Sequence, residues 1–378
     1  ATSTVGLYDV IINSTAAVDC SLQGPVHIYR NLTITAGELS THASNDYALT
    51  VGGLCHIAGI LTGNASAISM GGLLVGSSGK YDATTTTTTI NAEDVTGYAW
   101  DVNGTDSFDN NDGTVLFDLG SGVESHIRTG QADGANSFHN LTVAMYDSTK
   151  TLVLRPNGGT AITIEGNLTV QEGIVYTNTA GHTLTVTEDV SVESGGTLGH
   201  ADHDGNDSFG SLTIADGGTC IASEGTTTIT GENSSAYAWQ NEETDGTAFV
   251  HNNGKVVIDT AGNNHTTVKE TTFYDLEINQ TSSTYEAKFR PSSGTHSEIL
   301  NNFTLTSGIY EMHADGDTLD IYGLTTIEAN GQFLKDAEHT GLVTHHGLVT
   351  NRGAYKIKDG VTVKMNGGFR QLNAFTTP

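Results

Sequence analysis

The strongest constraint on this chain is that it repeats itself. Asn31-Leu-Thr-Ile-Thr-Ala-Gly37, Asn167-Leu-Thr-Val-Gln-Glu-Gly173 and Asn302-Phe-Thr-Leu-Thr-Ser-Gly308 align without gaps, 136 and 135 residues apart. Each leads into a second apolar stretch, Ala48–Val51, Thr183–Val186 and Thr318–Ile321. Tyr98-Ala-Trp100 matches Tyr237-Ala-Trp239, and Phe138-His-Asn-Leu141 matches Phe273-Tyr-Asp-Leu276. A period of this length makes one supersecondary solution, used again and again, the starting hypothesis for the fold. The alignment divides the chain into residues 1–30 (the end of a unit), 31–166 and 167–301 (complete units), and 302–378 (a truncated third).

Within a unit, apolar or alternating runs of three to six residues recur between Gly-, Ser-, Asn- and Asp-rich turns. The 57 Thr, 27 Ser and 46 Gly of the chain are strand and turn material, with little to build helices. Strands this short bury enough apolar surface only if successive coils stack continuously. The sequence therefore predicts an all-β parallel β-solenoid, with tandem β-sandwich domains as the alternative architecture. Thr84–Thr89 and Thr226–Thr228 are expected on outward ladder positions, where hydroxyl and methyl groups pack without a core.

Charge excludes whole classes of function. With 15 Lys+Arg against 43 Asp+Glu and a net charge of −28, the body cannot neutralise phosphates, so a nucleic-acid partner is excluded. No apolar run approaches 18 residues, so no membrane-spanning helix is expected. The basic residues are unevenly placed. Lys335, Arg352, Lys356, Lys358, Lys364 and Arg370 share the last 44 residues with only Asp336, Glu338 and Asp359. A basic end on an acidic body is expected to dock on the acidic end of another copy, head to tail. Ala1 at the start marks a processed chain or a piece of a longer one.

Candidate chemistry is sparse. Asp101-Val-Asn103-Gly-Thr-Asp106 and Asp202-His-Asp204-Gly-Asn-Asp207 gather hard oxygen ligands on tight turns and are candidate calcium sites, though neither has EF-hand spacing. Calcium is the one cofactor they imply. His200, His203 and the pair His345-His346 lack the spacing of a zinc site. Trp100 and Trp239, equivalent in the repeat, are either core anchors or a platform for sugar rings. Cys20 and Cys55 are a candidate disulfide, and Cys220 is left over. Eleven Asn-x-Ser/Thr sequons, at Asn13, Asn31, Asn64, Asn103, Asn140, Asn167, Asn206, Asn233, Asn264, Asn279 and Asn302, are candidate glycosylation sites. Asn31, Asn167 and Asn302 recur in phase, which is also what a fold requirement would produce. No isolated carboxylate pair, nucleophile elbow or phosphate loop is present, so no catalytic residues are expected.

Gly225-Thr-Thr-Thr-Ile-Thr-Gly231, His251-Asn-Asn-Gly-Lys-Val-Val-Ile258 and Thr272-Phe-Tyr-Asp-Leu-Glu-Ile278 resemble repeat proteins of phage virion fibres and of prokaryotic cell surfaces. That resemblance implies an extracellular, cell-surface or virion-surface structural protein that is not an enzyme. The function expected is a subunit of a filament or fibre that assembles with itself. A glycan-binding adhesin or receptor-binding fibre is the alternative, and a β-helical polysaccharide-degrading enzyme the third.

Overall fold

The computed structural model describes residues 5–372 apart from 15–18, 94–96, 121–123, 131–135, 158, 178–180, 243–246, 269–270, 290–295, 313–314, 334–339 and 358–359. Where apolar residues alternate with Thr, the chain is extended and alternates between buried and half-buried, as in Leu168–Thr177 and Thr183–Val192. Too short to close a sheet within a coil, these strands pair with the strand one coil away. Every described pairing is parallel, and the described residues form a β-solenoid of about 14 turns with no helix among them. A tandem array of sandwiches, which needs antiparallel hairpins, is thereby replaced. No helix long and apolar enough to cross a membrane occurs among the described residues.

The chain forms two compact units, residues 1–187 with 195–197, and residues 188–194 with 198–378. In the first unit each coil contributes to three columns of strands. The first column runs from Val5–Leu7 through Val26–Ile28 and Thr87–Ile90 to Asn140–Ala144 and the start of Leu168–Thr177. The second runs from Val10–Asn13 through Leu32–Ala36, Tyr98–Val102 and Glu124–Gly130 to Thr151–Asn157. The third runs from Asp19–Ser21 through Glu38–Ser40, Ile60–Thr62 and Lys80–Asp82 to Phe108–Asp109. Register aligns like with like, so Cys20, Leu39, Leu61, Tyr81 and Phe108 form one row of this column.

The second unit has the same three-column plan. Its first column holds Thr226–Ile229, Lys255–Ile258, Asp275–Asn279, the start of Phe303–Met312, and Phe369–Gln371. Its second holds Tyr237–Asn241, Asn264–Val268 and Glu286–Phe289. In its third, Phe273, Ile299, Ile321, His345 and Met365 form a continuous row. The 135-residue repeat maps Val170 onto Leu305, first column to first, but Val51 onto Ile321, first column to third, so a repeat position is not tied to one column.

The block at Asn31 shows the same freedom. Asn167 and Asn302 precede first-column strands, whereas Asn31 precedes a second-column strand. What the three blocks share is a corner. Each ends in a glycine with positive φ, Gly37 at 83°, Gly173 at 95° and Gly308 at 100°, a conformation that costs an L side chain about 1 kcal/mol or more. The block therefore encodes a bend that any column can use.

The interior is filled by side chains. Tyr81, Trp100, Phe108, Phe117 and Phe138 form one aromatic cluster in the first unit, and Trp239, Phe249 and Phe273 another in the second. The Thr runs differ from expectation. Thr88 and Thr227 face inward and are buried, because strict alternation sends every second residue of a Thr run to the core. Thr88 is satisfied there by Tyr81, whose Oη lies 2.6 Å from its Oγ1.

Buried polarity in the second unit yields a prediction. His345 is fully buried, with Nδ1 2.8 Å from Thr325 Oγ1 and Nε2 2.9 Å from Tyr355 Oη. Burial, with a smaller contribution from His346, lowers its pKa to about 4. The folded state thus resists protonation, and stability present above pH 6.5 is lost as pH falls toward 4. The loss amounts to about 3 kcal/mol over that window. In urea titrations at successive pH values, His345→Gln should lose less stability than the parent between pH 6.5 and 4. Identical pH profiles would refute the assignment.

Candidate functional surfaces

The repeated tryptophans lie in the core. Trp100 and Trp239 have no exposed surface. Trp100 meets Phe108 edge-on at 4.9 Å, and Trp239 meets Phe249 in the same way at 4.8 Å. No ring face is left for a sugar, so the carbohydrate-contact expectation for both is corrected to a packing role. A large aromatic at the inner face of a strand stabilises most where it is fully enclosed.

The two acidic turns do not present their carboxylates as one ligand set. Asp101, 5% exposed, receives Arg128 Nε at 2.7 Å and Nη2 at 2.5 Å. Arg128 also lies over the Tyr98 ring, 4.7 Å from its centre. Asn103 is held through its backbone N–H to Val75 O, and Asp106 is exposed with φ at 52°. In the second turn, Asp207 faces His203 Nε2 at 3.0 and 3.1 Å, both side chains buried. Asp202 and Asp204 are exposed, and the backbone N–H of Asp202 donates to His200 Nδ1. Among the described residues, no three His, Cys, Asp or Glu side chains gather to hold a metal ion.

Cys20 and Cys55 are both free, which corrects the disulfide expectation. They lie in different columns, Cys20 exposed in the third and Cys55 buried in the second. Burial pushes the Cys55 and Cys220 thiols up to about 12, which leaves both unreactive at neutral pH.

The sequons are in part corner residues. Asn31 Oδ1 accepts from Leu54 N at 3.0 Å and Asn302 Oδ1 from Leu324 N at 3.2 Å. Asn140 Oδ1 accepts from Asn167 N, and Asn206 Oδ1 from Thr226 N. Asp9 and Asp275 do the same for the backbone N–H groups of Asn31 and Asn302. These bonds run from coil to coil and satisfy backbone N–H groups that the strand ladder leaves unpaired at a bend. They use Oδ1, and Nδ2, the atom glycosylation would modify, is not needed for them. Asn13 and Asn206 are exposed; Asn64, Asn103, Asn233 and Asn279 are half-buried; the side chain of Asn264 lies outside the described residues.

Of the basic residues, Lys335 and Lys358 lie outside the described residues. Arg352 Nη1 donates to Glu328 at 2.7 Å, while Lys356, Lys364 and Arg370 are exposed.

One polar group on the second column of the first unit was not singled out from sequence. Glu124, His126 and Arg128 alternate along a single strand, and Arg155 stands across from Arg128. His126 Nε2 is 3.3 Å and Arg155 Nη2 3.8 Å from Glu124 Oε1. Burial, and then Arg155, lower the His126 pKa, so it is neutral near pH 7. The i, i+2, i+4 spacing of Glu124-x-His-x-Arg128 was the available signal. A shallow groove of about 350 Å³ lies near the third column, lined by Lys80, Asp106, Asp109, Asn110, Ser137 and Glu165. Its Glu165 already accepts from Ser137 Oγ at 2.5 Å and Asn110 Nδ2 at 3.0 Å.

Compared with protein-family models, curated proteins and solved structures, the chain matches none. Its functional reading rests on its own geometry.

Proposed function

We propose that this protein is a non-enzymatic structural subunit of an extracellular filament or of a virion or cell-surface fibre, built by association of the chain with itself. The observation that carries the reading is the repetition of one corner and one aromatic core position in both units. Asn167 and Asn302 turn equivalent corners, and Trp100 and Trp239 fill equivalent interiors. Evenly repeated architecture serves stiffness and length, whereas a catalytic site needs one place unlike the others. The carboxylates that stand out, Asp101, Asp207 and Glu165, are held by partners within the chain, which favours structure over catalysis. A receptor-binding fibre is the second reading, favoured by the exposed rings of Tyr8, Tyr29 and Tyr146.

Electron microscopy of the native protein, purified without denaturant, tests the proposal. Filaments with an axial repeat near one subunit length are expected. Isolated monomers in every field would overturn it.

A further inference from the structure

We propose that the groove lined by Lys80, Asp106, Asp109, Asn110, Ser137 and Glu165 binds a hydroxyl-rich, non-acidic ligand, the chemistry of a neutral or amino sugar. Such a site is compatible with the fibre reading above and does not depend on it.

The groove exists because one column misses a rung. Among the described residues no strand pairing joins Phe108–Asp109 to Ser137–Phe138, and Phe138 pairs onward with Ile164. Side chains bridge the break. Asn136, 4% exposed, accepts from Phe108 N at 2.6 Å through Oδ1 and donates through Nδ2 to Gly104 O at 2.9 Å. Asn110 Nδ2 donates to Ser137 O at 3.2 Å. These bonds satisfy backbone groups that a ladder would otherwise pair, and an opening of about 350 Å³ is left over them.

The second unit repeats the break without the charges. Tyr81 pairs with Phe108 as Cys220 pairs with Phe249, and Phe138 with Ile164 as Phe273 with Ile299. Among the described residues nothing pairs Phe249–Val250 with Thr272–Phe273 either. Where the first unit has Lys80, Asp106, Asp109 and Glu165, the second has Thr219, Thr247, Val250 and Leu300. The break itself therefore does not require ionised side chains. One of two equivalent places carries chemistry that the other lacks, which is the pattern of a site grafted on a repeated scaffold.

Charge and packing select the ligand. Phe108 is only 5% exposed, so the groove offers no apolar face to a lipid or an aromatic compound. Asp106, Asp109 and Glu165 outnumber Lys80, which repels an anion. Lys80 is itself held by Asp82 and lies 3.8 Å from Asp109. No three of the carboxylates converge on a metal position. A ligand that both donates and accepts at several points fits this lining, as neighbouring sugar hydroxyls do. Glu165 is already set in place: Ser137 Oγ holds one of its oxygens at 2.5 Å and Asn110 Nδ2 the other at 3.0 Å. A carboxylate accepts about four hydrogen bonds, so each oxygen keeps capacity for a ligand hydroxyl. A side chain fixed beforehand loses little freedom on binding.

A glycan array of neutral, amino-sugar and uronic-acid oligosaccharides, probed with the full chain, tests the site. Neutral or amino-sugar members should bind and uronic-acid members should not. Asp109→Val with Glu165→Leu installs the residues of the second unit, so the urea midpoint should stay near the parent's. Binding to the same oligosaccharides should fall about tenfold or more, as expected when charge-assisted hydrogen bonds are lost. Glu165→Gln, which keeps the shape of the side chain, should also weaken binding, and it decides the matter if the double variant unfolds. Tyr146→Ala, at an exposed ring outside the groove, should bind like the parent. An array without signal, signal confined to uronic acids, or binding unchanged in both groove variants would overturn the proposal. So would a calorimetric calcium titration whose heat disappears in the double variant, because the groove would then be a cation site.

Discussion

Trp239→Ala should lower stability by about 3–5 kcal/mol, and Trp100→Ala by a similar amount, the range for emptying a large buried aromatic site. Neither ring has exposed surface, and each sits among phenylalanines that strand pairing holds in place and that cannot collapse into the space. Trp→Phe at the same positions should cost much less. The indole Nε1 of both residues is buried without a hydrogen-bond partner among the described residues. Phenylalanine gives up some area but also removes that unpaired donor, whose burial costs about 1–3 kcal/mol. Urea midpoints for the four variants measure the difference. Equal losses for Ala and Phe would mean that the indole N–H is satisfied after all. Unchanged stability in the Ala variants would mean that the rings lie outside the core.

Gly347→Ala should lower the stability of the second unit by about 3 kcal/mol. Gly323, Gly347 and Gly367 stack at one corner of successive coils, and a Cβ on Gly347 would overlap the carbonyl of Gly323. The obstacle is backbone held by the ladder, so no side-chain rotation relieves it. Gly24→Ala is the matched control, because a Cβ there meets nothing within 4 Å. Thermal unfolding should separate the two, with a lower midpoint for Gly347→Ala and none for Gly24→Ala. Equal midpoints would show that the corner yields.

Much of this architecture was legible in the sequence. Short alternating runs between glycine-rich turns and a 135-residue period favoured coil stacking, with tandem sandwiches left as the alternative until the parallel pairing was seen. The tryptophans were legible only as a pair of alternatives. Phe108 and Phe249, which enclose them, stand eight and ten residues away, on the next strand of the same coil. The partners of the acidic turns were hidden for a related reason. Arg128 lies 27 residues from Asp101, and the one-coil separation that joins them depends on loop lengths that no local pattern encodes. His203 was visible beside Asp207, but whether the pair is buried together depends on the coil around it.

What the sequence determined by itself is the local alphabet of the fold, strand, corner and turn, because alternation and glycine placement act through near neighbours. Which column a given corner serves was decided only in three dimensions. The Asn31 block aligns with those at Asn167 and Asn302 position for position and still turns into a different column. A motif specifies the bend of the backbone it contains, whereas its position around the coil depends on the summed length of every strand and turn before it.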